Sequence, residues 1–97
     1  MILYFHPDAK QDLRDAISYY NDCKTGLGQQ FASQVQKSLH QIQDFPEAWS
    51  LISKRTRRVM TNRFPYGIIY SIKNDTIIVL AVMQLNRKPG YWKNRKI

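Results

Sequence analysis

Two amphipathic stretches joined by a short glycine turn limit the possible folds of this chain more than any other feature. The first stretch places apolar residues at helical spacing, at Ala9, Leu13, Ala16, Ile17 and Tyr20. The second does the same with Phe31, Val35, Leu39 and Ile42, and Pro46 stops it. Gly26-Leu27-Gly28 separates them and predicts a helical hairpin. Because each helix has only one apolar face, the hairpin must pack against another layer.

A short apolar run precedes the first helix. Residues 2–5 predict a strand that ends at His6, which we expect on the surface. Asp8 is a suitable helix N-cap, and Gln11 follows three residues later as in a capping box. The first helix is therefore expected to begin just after Asp8.

The remaining chain has the pattern of strands. Residues 59–61 predict a short strand, and every second residue from Tyr66 to Ile72 is apolar or aromatic. A turn signal at 73–76 leads into residues 77–82, which are all apolar and suit a central strand. We expect one α+β domain over residues 1–97. Its N-terminal strand and helical hairpin would pack on one face of a small twisted antiparallel sheet, and a short basic C-terminal tail would follow.

Positive charge is concentrated in the second half of the chain. Residues 1–50 carry four Lys or Arg against six Asp or Glu, whereas residues 51–97 carry eleven against one. Such a field attracts polyanions or an acidic protein segment, and the plainer alternative is a solvated basic surface.

Basic and aromatic residues interleave beside the predicted strands, and these are the candidate contact residues. They are Arg55, Arg57, Arg58, Arg63, Arg87, Lys88, Tyr91, Trp92, Lys93 and Arg95. Arginine binds phosphate or carboxylate through two nitrogens, and aromatic rings stack on bases or anchor protein interfaces. Residue types alone favour nucleic acid and acidic protein equally. Trp92 could instead cap the sheet, and Arg58 and Arg63 could be solvated charges.

Several function classes lack support in the sequence. His6, His40 and Cys23 show no metal-ligand spacing, and we expect no cofactor. A single cysteine rules out an internal disulfide, and no apolar run is long enough for a membrane span, so the expected location is the cytoplasm. Without paired carboxylates or a phosphate loop, any cleavage would use Arg, Lys and Tyr on RNA, whose 2′-hydroxyl can act as nucleophile.

Four segments together resemble the RelE/ParE superfamily of type II toxin–antitoxin toxins. They are Arg57-Arg58-Val59, residues 63–70, residues 78–82 and residues 87–92. The resemblance implies growth inhibition by a toxin whose cognate acidic antitoxin wraps it, in a complex that could be a heterotetramer or larger. Operator DNA would be bound only through the antitoxin, and no membrane would be involved.

The resemblance leaves two activities open, inhibition of DNA gyrase as in ParE and cleavage of mRNA in the ribosomal A site as in RelE. Cleaving members carry arginine at the positions that match Gly67 and Leu85, and many relatives carry histidine at Gln84. The nuclease set is therefore incomplete, which favours the ParE-like activity. In the nuclease alternative the catalytic residues would be Arg58, Arg63, Arg87 and Tyr91. A non-catalytic partner-binding relative is the third alternative.

Overall fold

The computed structural model describes residues 1–88 and 90–95 of the chain. Strand β1 (Ile2–Phe5) leads into helices α1 (Pro7–Cys23) and α2 (Leu27–Asp44). Strands β2 (Thr56–Met60), β3 (Tyr66–Lys73) and β4 (Thr76–Gln84) follow, and a 3₁₀ turn (Tyr91–Asn94) comes after them. The sheet order is β1-β4-β3-β2. The α+β class is therefore confirmed, and no helix within the described ranges is long and apolar enough to cross a membrane.

The predicted helical hairpin is confirmed, and its two glycines have different roles. Gly26 lies in the left-handed region at φ 85°, which a residue with a side chain rarely adopts. Gly28 is buried where α2 meets α1, and a Cβ there would lie 2.5 Å from the Ile17 carbonyl oxygen. Its N–H donates to Asn21 Oδ1 at 2.8 Å. Gly26 is therefore needed for its backbone conformation, and Gly28 is needed for the close contact between the two helices.

The first helix begins two residues earlier than the capping signal predicts. His6 is the N-cap, and its Nδ1 accepts the Asp8 N–H at 3.0 Å. Pro7 occupies the first helical position, where its fixed φ suits the helix and its missing N–H costs nothing. The predictions of Asp8 as the cap and of His6 as a surface residue are wrong, since His6 is only 7% exposed. Gln11 hydrogen-bonds Asp15 rather than completing a capping box.

The sheet is mixed rather than wholly antiparallel. β2, β3 and β4 form an antiparallel meander, but β1 runs parallel to β4 from the Ile2–Thr76 pair to the Phe5–Val79 pair. The expectation of an antiparallel sheet is therefore wrong for β1. Hairpin turns impose antiparallel pairing on neighbouring strands, whereas β1 reaches β4 across two helices and two strands, so no turn dictates its direction.

The sheet separates two apolar cores, and β4, which contains a bulge, contributes residues to both. The helix-side core contains Phe31, Val35, Ile42, Ile68, Tyr70, Ile77, Val79 and Val82. The core on the other face contains Ile69, Ile78, Leu80, Ala81, Met83 and Trp92, with Ile52 and Tyr91 packed against it. Leu80 is the extra residue, because Ile69 pairs with Ala81 while Tyr70 pairs with Val79. The unbroken apolar run of β4 is thus explained by burial on both faces.

Candidate interaction site

Side chains cap the part of β4 that β1 leaves uncovered. Pairing with β1 ends at Val79, whose carbonyl accepts the His6 N–H at 2.9 Å. Beyond it, the Leu80 carbonyl accepts Arg95 Nη1 at 2.7 Å, and the Val82 N–H donates to Asp12 Oδ2 at 3.1 Å. These contacts satisfy backbone groups at an otherwise open sheet edge.

Asp12 on α1 is the centre of this network. Its carboxylate accepts two bonds from Arg95, from Nη1 to Oδ2 at 2.6 Å and from Nη2 to Oδ1 at 3.1 Å. Tyr91 donates its hydroxyl to Oδ2 at 3.2 Å. The side chains of Arg95 and Asp12 are only 13% and 12% exposed, so water screens the pair weakly. The network therefore fastens the C-terminal segment to α1 and β4.

Tyr91 is held as a protonated hydrogen-bond donor. Burial, and then the negative charge of Asp12, raise the pKa of Tyr91 to about 12, against an opposing effect from Arg95 and Arg87. The Arg87 guanidinium carbon lies 4.0 Å from the centre of the Tyr91 ring, and that of Arg95 lies 4.8 Å from it. A phenol in this state is a poor proton acceptor near neutral pH.

A cleft of about 230 Å³ opens beside this network, between α1 and the end of β4. Its walls are Asp12, Asp15, Ala16, Tyr19, Tyr66, Val82, Gln84 and Arg87. Burial raises the pKa of Tyr66, with smaller contributions from Tyr19 and Asp12, while Arg87 lowers it. The cleft thus combines carboxylate, phenol, amide and guanidinium groups, which suits polar recognition. Neither histidine nor cysteine belongs to the described residues that line it.

Gly67 allows the Arg58 side chain to lie flat on the sheet. Arg58 pairs with Ile69, so it projects from the face opposite the helices. A Cβ at position 67 would lie 3.1 Å from both Cγ and Cδ of Arg58 and 3.2 Å from Leu85 Cδ2. The position that carries arginine in the cleaving relatives is therefore covered by the Arg58 stem and by Leu85. A long side chain at 67 would have to displace them.

Two other predicted cations are held by contacts within the chain. Arg63 has φ 72°, and its Nη2 donates to Gln30 Oε1 on α2 at 2.9 Å. Arg57 projects on the helix side of the sheet, and its Nη1 donates to the carbonyls of Glu47 at 3.0 Å and Trp49 at 2.6 Å. Arg57 also lines a second cleft together with Arg55.

The C-terminal candidates divide into packed and exposed residues. Trp92 is 7% exposed within the second core, so its ring packs against the sheet rather than being presented to solvent. Lys88 and Lys93 are exposed. The predicted contact residues thus lie at several separate places. Arg87, Tyr91 and Arg95 meet in one network, and Arg55 and Arg57 line the second cleft. Their roles in binding or catalysis remain predictions.

Sequence reasoning missed the contribution of α1 to this site. Asp12 and Asp15 lie near the N-terminal end of α1, where acidic residues ordinarily stabilise a helix, and Tyr66 alternates with apolar residues along a strand. A signal was present, because Asp8, Asp12, Asp15 and Tyr19 recur at spacings of four, three and four residues. That spacing aligns them on one helix face beside the apolar stripe. In the described part of the chain, no three His, Cys, Asp or Glu residues form a group that could hold a metal.

A comparison with models of protein families identifies the family of this chain. The model for the ParE toxin of type II toxin–antitoxin systems, parDE, matches residues 3–89. The chain belongs to the ParE toxin family. The predicted resemblance to the RelE/ParE superfamily is thereby confirmed. The ParE match covers both helices, β2 to β4 and all of β1 except Ile2. A comparison with curated protein sequences finds no match.

Solved structures share the ParE-type fold. The chromosomal ParDE toxin–antitoxin system of P. aeruginosa contains a chain that superposes with a TM-score of 0.79 at 14% identity, covering 89% of this chain and 97% of that one. The isolated RelE toxin of E. coli superposes with a TM-score of 0.66 at 20% identity, covering 95% and 92% respectively. At such identities these likenesses establish the fold alone.

Proposed function

We propose that this ParE family member is the toxin of a type II toxin–antitoxin system and inhibits DNA gyrase without cleaving nucleic acid. The hydrogen bond and the raised pKa of Tyr91 are the observation that supports the absence of nucleic-acid cleavage. This residue matches a tyrosine that the nucleases use, yet its hydroxyl donates to Asp12 and its pKa is raised to about 12. Proton transfer near neutral pH requires a group that can give and take a proton there, and this tyrosine is poorly suited to it.

The covered position at Gly67 supports the same proposal. RNA cleavage by residues of this kind needs cations aimed at the phosphate that becomes pentavalent. Here the backbone at 67 lies beneath the aliphatic stem of Arg58, and the neighbouring Leu85 is apolar. Two positions that carry arginine in the nucleases therefore supply no cation.

Neutralisation by a cognate antitoxin is supported by charge and by the family. The second half of the chain has a large excess of positive charge, which an acidic antitoxin segment would complement. One structural neighbour comes from a ParDE toxin–antitoxin system. Gyrase and a co-expressed antitoxin would both be met in the cytoplasm, where we place the protein.

A supercoiling assay tests the gyrase proposal. Purified toxin should block supercoiling of relaxed plasmid by gyrase, and prior addition of the antitoxin encoded beside it should restore activity. Tyr91→Phe keeps the ring that Arg87 stacks on but removes the hydroxyl, so we expect it to retain inhibition. Unimpaired gyrase at a large excess of folded toxin would refute the proposal.

Ribosome-dependent mRNA cleavage is the second candidate, and the contact between Arg87 and Tyr91 favours it. The guanidinium lies 4.0 Å from the ring centre, and Arg87 also lines the cleft beside Tyr66, so cation and phenols are close together. Mapping of 5′ ends on translated mRNA would show cuts at A-site codons. Cuts that disappear in a variant with both Tyr91→Phe and Arg87→Ala would establish this function in place of the first.

A further inference from the structure

A second cleft lies at the opposite end of β3 from Tyr66. It has a volume of about 260 Å³ and is lined by Glu47, Leu51, Lys54, Arg55, Arg57 and Ile72. We call the cleft lined by these six residues the corner cleft. It shares no residue with the cleft beside Asp12. It also contains none of the residues that match the nuclease positions discussed above.

The walls of the corner cleft are held in place by hydrogen bonds. Arg57 ties the segment after α2 to β2 through the carbonyls of Glu47 and Trp49. The Tyr70 hydroxyl donates to the Pro46 carbonyl at 2.5 Å, and the Ser50 carbonyl accepts the Arg58 N–H at 3.1 Å. A preformed cleft loses little conformational entropy when it binds a ligand, so these contacts favour binding.

The corner cleft combines positive charge with apolar surface. Lys54 and Arg55 are exposed, and Leu51 is an exposed large apolar residue at 55%. Ile72 adds a second apolar wall, and Glu47 is the one carboxylate among the described residues that line the cleft. A leucine left open to water beside two cations is complementary to an apolar side chain flanked by carboxylates.

We propose that the corner cleft binds an acidic peptide segment of a protein partner, in which carboxylates flank an apolar side chain. The apolar side chain contacts Leu51 and Ile72, and the flanking carboxylates pair with Lys54 and Arg55. The Arg57 guanidinium adds positive charge while it holds the wall. This binding does not depend on which target the toxin inhibits.

The composition of the cleft favours a peptide over nucleic acid. Phosphodiester backbones bind to cationic grooves, and single-stranded bases add stacking on aromatic rings. Among the described residues that line the corner cleft, none is aromatic. The side chains of Leu51 and Ile72 have no charge and no hydrogen-bond donor for a phosphate. A cleft of this volume accommodates a side chain or two rather than a run of nucleotides.

Fluorescence anisotropy with designed peptides tests the proposal. The probe is a labelled peptide of repeating Leu-Glu-Glu triplets. Its controls are repeats of Leu-Gln-Gln, which removes charge, and Gly-Glu-Glu, which removes the apolar side chain. The protein variants are Lys54→Glu with Arg55→Glu, and separately Leu51→Ser. All three positions are exposed, so folding should be preserved, and circular dichroism checks it. Lys24→Glu with Lys37→Glu makes the same change in net charge at exposed positions on the helical hairpin.

The expected result is loss of binding specific to the corner cleft. Lys54→Glu with Arg55→Glu should raise the dissociation constant of the Leu-Glu-Glu peptide by about tenfold or more, since two attractions become repulsions. Leu51→Ser should raise it about threefold. The helical control should change it less than about twofold, because screening weakens distant charges.

Three results would overturn the proposal. One is equal weakening by the helical control, which would make the attraction a property of net charge. Another is unchanged binding in Leu51→Ser together with equal affinity for the Gly-Glu-Glu peptide. The third is a single-stranded oligonucleotide that displaces the peptide and loses affinity in the Lys54→Glu, Arg55→Glu variant, which would assign the cleft to nucleic acid.

Discussion

Replacing Asp12 with asparagine should destabilise the protein far more than its position on a polar helix face indicates. The Asp12 carboxylate accepts bonds from the Val82 N–H, the Tyr91 hydroxyl and two nitrogens of Arg95. The substitution removes the closest counter-charge of a guanidinium that is 13% exposed, and leaves it only the Asp8 carboxylate at 3.9 Å among the described residues. Breaking a buried pair costs roughly 3–5 kcal/mol, and the partial exposure here lowers the expected loss to about 2–4 kcal/mol. That is a large fraction of the 5–15 kcal/mol typical of a small domain.

Urea unfolding with matched variants measures this loss. Asp15→Asn is the control, because Asp15 is exposed on the same helix and its carboxylate bonds only the Gln11 amide among the described residues. We expect it to cost less than about 0.5 kcal/mol. Arg95→Met removes the cation that Asp12→Asn deprives of its partner. The double variant should therefore lose about 1–3 kcal/mol less stability than the sum of the two single losses. Slopes of the unfolding curves should agree between variants.

The result that would refute this reasoning is a loss for Asp12→Asn no larger than for Asp15→Asn. Additive losses in the double variant would likewise show that Asp12 and Arg95 do not interact energetically. In either case packing of Tyr91 and Trp92 would hold the C-terminal segment, and the capping of the β4 edge would contribute little.

Four further predictions concern the glycines of the helical hairpin, Tyr91 and Trp92. Gly28→Ala should destabilise by about 1–3 kcal/mol in urea unfolding, because its Cβ would meet the rigid Ile17 carbonyl at 2.5 Å. Gly26→Ala, with no atom within 4 Å but φ at 85°, should cost only about 1–2 kcal/mol. The raised pKa of Tyr91 contributes stability below pH 10 that is lost as pH rises towards 12, so Tyr91→Phe should lose less stability than the parent over that window. Trp92→Ala should cost about 3–5 kcal/mol and accelerate hydrogen exchange of β4 amides, and unchanged stability would contradict its place in the second core.

Much of the fold was predictable because its signals are local. The two helices follow from apolar residues at helical spacing, and β3 and β4 from alternation and from an unbroken apolar run. The hairpin at 73–76 follows from its turn residues, and Asn74 does adopt the left-handed conformation at φ 53°. The cap of α1 was predicted wrongly, since Pro7 and His6 outcompeted the signal at Asp8. In that case two local signals conflicted, and the two candidate caps lie only two residues apart.

The candidate site was only partly predictable. The concentration of cations in the second half and the family resemblance were both present in the chain. The chain did not show which cations remain available to a partner. Arg57 binds backbone carbonyls, and Arg95 binds Asp12. Trp92 looked like a contact residue from its neighbours in sequence, but it is buried against β4.

The sequence by itself determined the helices, three of the strands in their hairpin order, the distribution of charge and membership of the ParE toxin family. Tertiary structure alone decided the parallel direction of β1, the raised pKa of Tyr91 and the separation of the two clefts. The physical reason is distance along the chain. Asp12 meets Val82 and Arg95 across most of the sequence, and the burial that raises the pKa of Tyr91 arises only when those segments pack together.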